Sequence, residues 1–280
     1  MPKIAEKGGE DRYPISVYIV AKNEADRIGR AVRSVVDWVD EVIVVDSGSE
    51  DATVLVASEA GARVVYHSWP GYGPQKRFGE DQCRNEWLLN LDADEEVSPD
   101  LAAEIQTHFQ GSLPSCAAFQ LRVTDTLPNE DRPKWYAYSY EIMRLYDRRQ
   151  GRCSDHVYKD RVELSSGSVE ELRGRIWHHS FRNWEATVTK LNFYTSQVAK
   201  DRVHRKMKLL RLRLFTEFPL QFLKCYVGRR FMFRGAMGLA MSLTVAYLNL
   251  LRLLKTDEAH KQRVTSASGD PPALKVRDVA

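Results

Sequence analysis

Pro14-Ile-Ser-Val-Tyr-Ile-Val-Ala21 is an almost unbroken apolar run of strand length, rich in β-branched and aromatic residues, as a buried strand requires. Lys22-Asn23-Glu24 closes it. From Ala25 to Trp38 the apolar residues fall at Ile28, Ala31, Val32, Val35 and Val36, which is helical spacing. Glu41-Val-Ile-Val-Val-Asp46 reads as a second strand ending in an acid, Ser47 to Asp51 as a turn, Thr53 to Ala60 as a short helix and Ala62 to Tyr66 as a third strand. A Gly/Pro-rich loop, Trp69 to Arg77, leads into a helix over Gln75–Glu86. Trp87-Leu-Leu-Asn-Leu91 is a further apolar strand, and it runs straight into Asp92, Asp94, Glu95 and Glu96. Alternating strands and helices with short connections predict an α/β fold with a doubly wound, mostly parallel sheet.

The pattern then loosens. Asp100 to Phe109 reads as a helix. Ala117–Val123 and Tyr140–Tyr146 read as strands, and between them lies a Pro-rich, charged segment with Trp135-Tyr136. Ser168 to Ile176 reads as an edge strand, closed by Trp177-His178-His179. From Asn183 the spacing is helical, with Trp184, Val188, Leu191, Tyr194 and Val198 on one face. Gly235 to Leu251 is 17 residues without a charge, flanked by Arg229, Arg230 and Arg234 and by Arg252 and Lys255. Thr256 to Ala280 reads as a flexible tail. These boundaries predict a short N-terminal tail over 1–13, a catalytic domain over 14–182, a basic helical region over 183–255 and the tail over 256–280.

Charge sharpens that division. The net charge of +3 conceals an acidic front and a basic back, since Ala186–Lys255 carries 14 Lys/Arg against only Asp201 and Glu217. A basic back suits an anionic surface, lipid or nucleic acid. Its aromatic residues fall at helical core spacing, which does not favour a base-stacking platform. Four widely spaced cysteines lack metal-ligand or redox spacing, and Met1 to Tyr13 lacks the apolar run of a secretory signal.

The candidate chemistry sits at strand ends. Asn23 and Glu24, then Asp46 and Ser47, then Asp92 and Asp94 end successive strands, and open α/β sheets gather ligand groups at that edge. Asp-x-Asp alone fits a solvated acidic loop as well as a divalent cation that also holds phosphate oxygens. The chain has no Gly-x-Gly-x-x-Gly after its first strand and no phosphate loop ending in Gly-Lys-Ser/Thr, which argues against dinucleotide oxidoreductases and nucleoside triphosphatases. A nucleotide held here needs another partner for its phosphates, such as a cation at Asp92/Asp94 with Lys76 or Arg77 assisting.

Four segments, Ile15 to Glu24, Val44 to Thr53, Gly73 to Arg77 and Trp87 to Glu95, resemble in order and spacing the motifs of family 2 glycosyltransferases, closest to the branch of lipopolysaccharide core-type β-1,4-glucosyltransferases. The resemblance is strong over about 14–110 and looser to about 200. It implies a GT-A fold, a UDP-sugar donor, a divalent metal (magnesium or manganese) and inversion at the anomeric carbon. Carried over by residue, it implies that Ala21, Asn23 and Glu24 line the nucleotide pocket and that Asp46 contacts the uracil. Lys76 then lies near the base or diphosphate, Asp92 by the ribose and metal, and Asp94 on the metal.

An inverting transfer needs one general base. Aligned on Arg161-Val162, Lys159 stands where relatives often show a His, and Asp160 keeps the acid that follows. Asp160 is therefore the first candidate base and Asp155 the second. His178 or His179 could complete the metal or diphosphate site, but a strand points adjacent residues to opposite faces, so one of them at most is a ligand. Trp135 and Tyr136 are candidates to contact an acceptor sugar, or equally to buttress their loop.

The expectation is therefore a membrane-associated transferase, peripheral on the cytoplasmic face of the inner membrane. It would move a hexose, glucose by resemblance, from a UDP-sugar to a lipid-linked saccharide such as the lipopolysaccharide inner core. The alternatives are a polyprenyl-phosphate or protein acceptor, or a non-catalytic basic protein binding membrane or nucleic acid. No nucleic-acid partner is expected under the main reading.

Overall fold

A computed structural model describes residues 12–127, 130–157, 161–201 and 210–268. The chain divides into two compact units, one ending at Ser180 and the other beginning at Phe181. The first unit is built on an eight-stranded sheet. In chain order its strands are β1 (Tyr13–Ala21), β2 (Val39–Asp46), β3 (Arg63–Tyr66), β4 (Trp87–Asp92), β5 (Glu95–Val97), β6 (Ala118–Asp125), β7 (Ser139–Asp147) and β10 (Val169–His178). Their spatial order is β3-β2-β1-β4-β7-β6-β10-β5, and β8 (Gly151–Cys153) and β9 (Val162–Leu164) form a separate hairpin. Helices α1 (Ile28–Arg33), α2 (Thr53–Glu59), α3 (Tyr72–Gln82) and α4 (Pro99–His108) complete the unit.

The expected α/β architecture is present. β3, β2, β1 and β4 are mutually parallel. Beyond β4 the sheet becomes mixed, with β7 antiparallel to both β4 and β6, β10 parallel to β6 and β5 antiparallel to β10. The central strands are apolar along their whole length because both faces are covered, as parallel sheets require. Ile15, Val17 and Ile19 of β1 pack with Ile28, Val32 and Leu101 on one side of the sheet. Tyr18, Ile43, Leu88 and Tyr146 fill the other.

Several boundaries differ from the sequence reading. Ser168–Ile176 was expected at an edge, whereas β10 lies between β6 and β5 and β5 takes the edge. The first helix covers only Ile28–Arg33 of the periodic stretch. Helix α3 begins at Tyr72, inside the expected loop, because Gly71 takes a φ of 131°, open to glycine at no steric cost.

The second unit is helical: α5 (Trp184–Asp201), α6 (Leu210–Leu223), a π-helical turn (Lys224–Gly228), a short 3-10 segment (Phe231–Arg234) and α7 (Gly235–Ser268). Helix α7 packs on both α5 and α6. The tail expected from Thr256 is helical as far as Ser268, and 269–280 lie outside the described residues.

Candidate active site

Strand register sets the site. Ala21 pairs with Asp46 across β1 and β2, and Val20 pairs with Asp92 across β1 and β4. The three carboxyl ends therefore stand side by side. The register of β10 brings a fourth group to the same edge, because His178 pairs with Asp125 of β6 on one side and with Glu95 of β5 on the other.

The turns after β1 and β2 brace each other. Asn23 adopts a left-handed φ of 55°, a region in which Asn is enriched. Its backbone N–H donates to Ser49 Oγ at 2.9 Å, and its side-chain Oδ1 accepts from Glu50 N at 2.8 Å. The N–H of Glu24 donates to Thr53 Oγ1 at 2.7 Å. Asp46 is buried, and its Oδ2 accepts from the N–H groups of Gly48 and Ser49, each at 2.9 Å. Ala21, Asn23, Glu24 and Asp46 thus form one continuous rim.

Behind that rim lies a buried charge cluster. Lys76 of α3 is 2% exposed, and its ammonium donates to Asn90 Oδ1 at 2.8 Å and to Asp92 Oδ1 at 3.0 Å. Arg144 of β7 donates through Nη1 to Asn90 Oδ1 at 2.5 Å. Its Nη2 reaches Asp92 Oδ2 at 2.7 Å and Glu95 Oε1 at 2.8 Å. The remaining Glu95 oxygen accepts the Asp92 N–H at 2.9 Å. The carboxylate of Asp92 is thus gripped at both oxygens, although 37% of its side-chain surface stays open to solvent. Burial disfavours its charge, but Arg144 and Lys76 outweigh that effect and hold its carboxyl well below the usual range. For Glu95 burial wins instead, and its carboxyl is raised despite Arg144.

Asp94 stands apart from this clamp. Its Oδ2 lies 3.4 Å from Arg27 Nη1 and its Oδ1 lies 3.6 Å from His178 Nε2. Arg27 also pairs with Glu24 and donates to the carbonyl of His179 at 3.2 Å, linking the rim to the Asp-x-Asp turn. His178 meets Asp125 Oδ1 through Nδ1 at 3.0 Å. Burial lowers the pKa of this imidazole, but Asp125 and Asp94 overcome it and push the pKa up to about 10. His179 points elsewhere, its Nε2 3.1 Å from Glu96 and its Nδ1 3.1 Å from Arg30. The two histidines do diverge, and His178 is the one at Asp94.

Among the described residues no group of three or more His, Cys, Asp or Glu side chains is placed to hold a metal. Magnesium-type sites commonly use one or two protein donors and leave the remaining positions to substrate phosphates and water. Asp94 would be the direct donor of such a half-site with Asp92 beside it, while His178, whose raised pKa keeps its imidazole protonated, would orient the Asp94 carboxylate and not bind the metal. The aromatic pair is present but solvent-facing: Trp135 is 82% exposed and meets Tyr136 edge to face at 5.5 Å.

Of the two candidate bases, Asp160 lies outside the described residues. Asp155 is exposed on a loop clasped to the start of α3. The N–H of Tyr72 donates to Val157 O at 2.9 Å and that of Gly73 to His156 O at 3.2 Å. Arg77 Nε donates to Cys153 O at 2.7 Å. Residue 73 must be glycine for this contact, since a Cβ there would lie 2.2 Å from Ser154 O. Helix α3 therefore carries Lys76 to the acid cluster and also holds the Asp155 loop. Arg27, Arg144 and Asp125 were not anticipated. Arg144 alone had a visible signal, a lone charge in the apolar strand Ile142-Met-Arg-Leu-Tyr146.

The family model for glycosyl transferase family 2 matches residues 16–162. An uncharacterized glycosyltransferase of Rickettsia felis is 38% identical over 254 residues, covering 88% of this chain and 90% of that protein. The lipopolysaccharide core biosynthesis glycosyltransferase LpsC of Rhizobium meliloti is 27% identical over 264 residues, 89% of this chain and 94% of that protein. Among solved structures, glucosyl-3-phosphoglycerate synthase from Mycobacterium tuberculosis in complex with Mn2+, UDP and glucosyl-3-phosphoglycerate is 26% identical. It covers 41% of this chain and 44% of that one, with a TM-score of 0.32.

Proposed function

The chain belongs to glycosyl transferase family 2, and on that premise we propose that it is an inverting hexosyltransferase using a UDP-sugar, glucose by resemblance, and a lipid-linked saccharide acceptor. The observation that carries the reading is the register of Ala21, Asp46 and Asp92 across three adjacent parallel strands. It gathers the rim and the Asp-x-Asp turn at one sheet edge, where a nucleotide diphosphate would lie. The similarity to a lipopolysaccharide core glycosyltransferase over most of both chains supports the inner core as acceptor and the cytosolic membrane face as the place of work.

In this reading Ala21, Asn23, Glu24 and Asp46 receive the nucleoside. Lys76 and Arg144 hold the Asp92 carboxylate still beside the ribose. Asp94, with Asp92 beside it and His178 orienting its carboxylate, would hold a magnesium or manganese ion, which when bound neutralises charge on the diphosphate leaving group. One opposite charge at about 4 Å is worth about 4 kcal/mol at an effective dielectric near 20, enough to matter against a catalytic barrier. The acceptor hydroxyl oxygen attacks the anomeric carbon from the face opposite the diphosphate. A carboxylate, Asp160 or Asp155, takes the hydroxyl proton, and UDP departs with the bonding electron pair. A single base and a single displacement give inversion.

The test is UDP release from UDP-glucose in the presence of a heptose-containing core acceptor, with the product's anomeric configuration read by NMR. The inverted anomer is expected, and activity is expected to collapse in Asp94→Ala. Full activity in that variant contradicts the metal assignment, and the retained anomer contradicts single displacement.

A further inference from the structure

The second unit carries an exposed apolar surface for which the transfer chemistry has no use. Along α6 and the π-helical turn, Leu212, Phe215, Leu223 and Val227 are 57%, 82%, 52% and 49% exposed, and with Pro219 they recur every three or four residues. Along α7, Leu239, Leu243, Tyr247 and Leu254 form a second exposed stripe at helical spacing. Met232 and Phe233 are exposed at the turn between the helices. Elsewhere on α7, Ser242 and Ala246 are fully buried, in a helix that packs on α5 and α6. Exposed apolar stripes of this kind mark a binding face when they are rimmed by polar groups.

The rim here has one sign. Lys224 and Arg230 are exposed at the turn, and no Asp or Glu occurs from Phe218 to Thr256. We propose that α6 and α7 lie in the plane of a single anionic leaflet, with the apolar stripes in the acyl boundary and the cations at the lipid phosphates. This rests on the second unit alone and stands or falls separately from the transfer reading.

By length and composition Phe231–Thr265 is able to cross a membrane, but two features oppose crossing. The charge-free run Gly235–Leu251 makes about 25 Å of helix against a hydrocarbon core of about 30 Å. Helix α7 is also tied to polar groups of its neighbours. Glu217 of α6, 9% exposed, pairs with Arg252 and with Arg213, each at 3.2 Å. Lys255 Nζ donates to Asn192 Oδ1 at 2.6 Å and Ser196 Oγ at 2.8 Å on α5. A crossing helix would draw these groups into hydrocarbon at a cost. A second copy docking the same face is the poorer occupant, since its exposed Lys224 and Arg230 would meet their own like charges, whereas lipid phosphates attract them.

The test sediments the full-length protein with vesicles of equal parts phosphatidylglycerol and phosphatidylcholine, and with phosphatidylcholine alone. Binding is expected to the mixed vesicles and to weaken with salt. The exposed pairs Phe215→Ser/Leu223→Ser and Lys224→Gln/Arg230→Asn, the Asn suiting the left-handed φ of 59° at that position, are each expected to weaken it roughly tenfold or more while circular dichroism stays unchanged. Fluorophores on Phe233→Cys and Leu254→Cys distinguish lying from crossing, the native cysteines being buried. A water-soluble quencher outside the vesicles is expected to be partly shielded from both labels, and to the same extent for each, since both lie in the acyl boundary of the outer leaflet. The proposal is overturned by equal binding to both vesicle types, by no binding, or by one label hidden in the lumen. It is also overturned by a lipid-free dimer that Phe215→Ser/Leu223→Ser dissolves.

Discussion

Arg144 Nη2 stands 2.7 Å from Asp92 Oδ2 while holding Glu95 at 2.8 Å, so one guanidinium on β7 fixes the acid that ends β4. The Arg144 side chain is 4% exposed and that of Glu95 fully buried. Removing one partner of a buried pair leaves the other charge uncompensated. Arg144→Met is expected to lower stability by about 3 kcal/mol, read as the shift of the urea midpoint. Arg144→Lys keeps the charge but loses the two-pronged grip. It is expected to stay folded and to bind UDP several-fold more weakly. Tight UDP binding by that variant would detach Asp92 from donor recognition.

The clasp between α3 and the loop after β8 makes a separate prediction. Gly73→Ala places a Cβ 2.2 Å from the backbone oxygen of Ser154, and the loop bearing Asp155 has to move. Misplacing a catalytic group by about 1 Å can cost about 100-fold in rate. The expected signature is kcat reduced to that extent with UDP affinity nearly unchanged, since Lys76 stays on α3. A loss of UDP binding in place of turnover would contradict a role for this loop in deprotonating the acceptor.

Asp147, at the end of β7, gives the pH dependence a clear sign. Burial raises its carboxyl pKa, but hydrogen bonds from the Arg149 side chain, the Arg149 backbone and Gln150 prevail and bring it below the ordinary value. A depressed carboxylate contributes stability that is present above the unfolded-state pKa and is lost as pH falls through the folded-state one. Asp147→Asn is therefore expected to flatten the acid limb of the stability curve below about pH 4 and to leave the slope near neutrality unchanged. Melting temperatures across that range check it.

The thiols offer a fourth test. Cys83, Cys116, Cys153 and Cys225 are all buried and free. Burial pushes Cys83 up to about 12 and Cys116 to about 11. The thiolate is the reactive form, so a disulfide reagent near pH 8 is expected to label almost nothing in the native protein and four thiols after denaturation. Fast labelling of one thiol in the native state would show that its segment opens.

The parallel half of the sheet was legible because β1, β2 and β4 are buried on both faces and so read as unbroken apolar runs closed by Asn23, Asp46 and Asp92. Residues that act at strand ends announce themselves by interrupting such runs. The position of β10 was not legible. Its side chains alternate, with Leu172 and Ile176 buried and Glu171 and Arg173 exposed, and that pattern reports the faces of a strand. Its in-plane neighbours β6 and β5 are joined by backbone hydrogen bonds, to which side-chain polarity is blind. Arg144 showed as an oddity, but its partners lie 49 and 52 residues away and only the register of β4 against β7 brings them together. His178 and Asp94 likewise meet only because β5 folds back onto β10 beside them.

The central claim is that these converging strand ends form a metal-assisted nucleotide site. Its most direct test is calorimetric titration of the full-length protein with UDP, with and without manganese, for wild type, Asp46→Ala and Asp94→Ala. Wild type is expected to bind UDP, and more tightly with manganese. Asp46→Ala is expected to weaken binding in both conditions, and Asp94→Ala to abolish the manganese enhancement. A folded wild-type protein that binds no UDP in either condition would contradict the account.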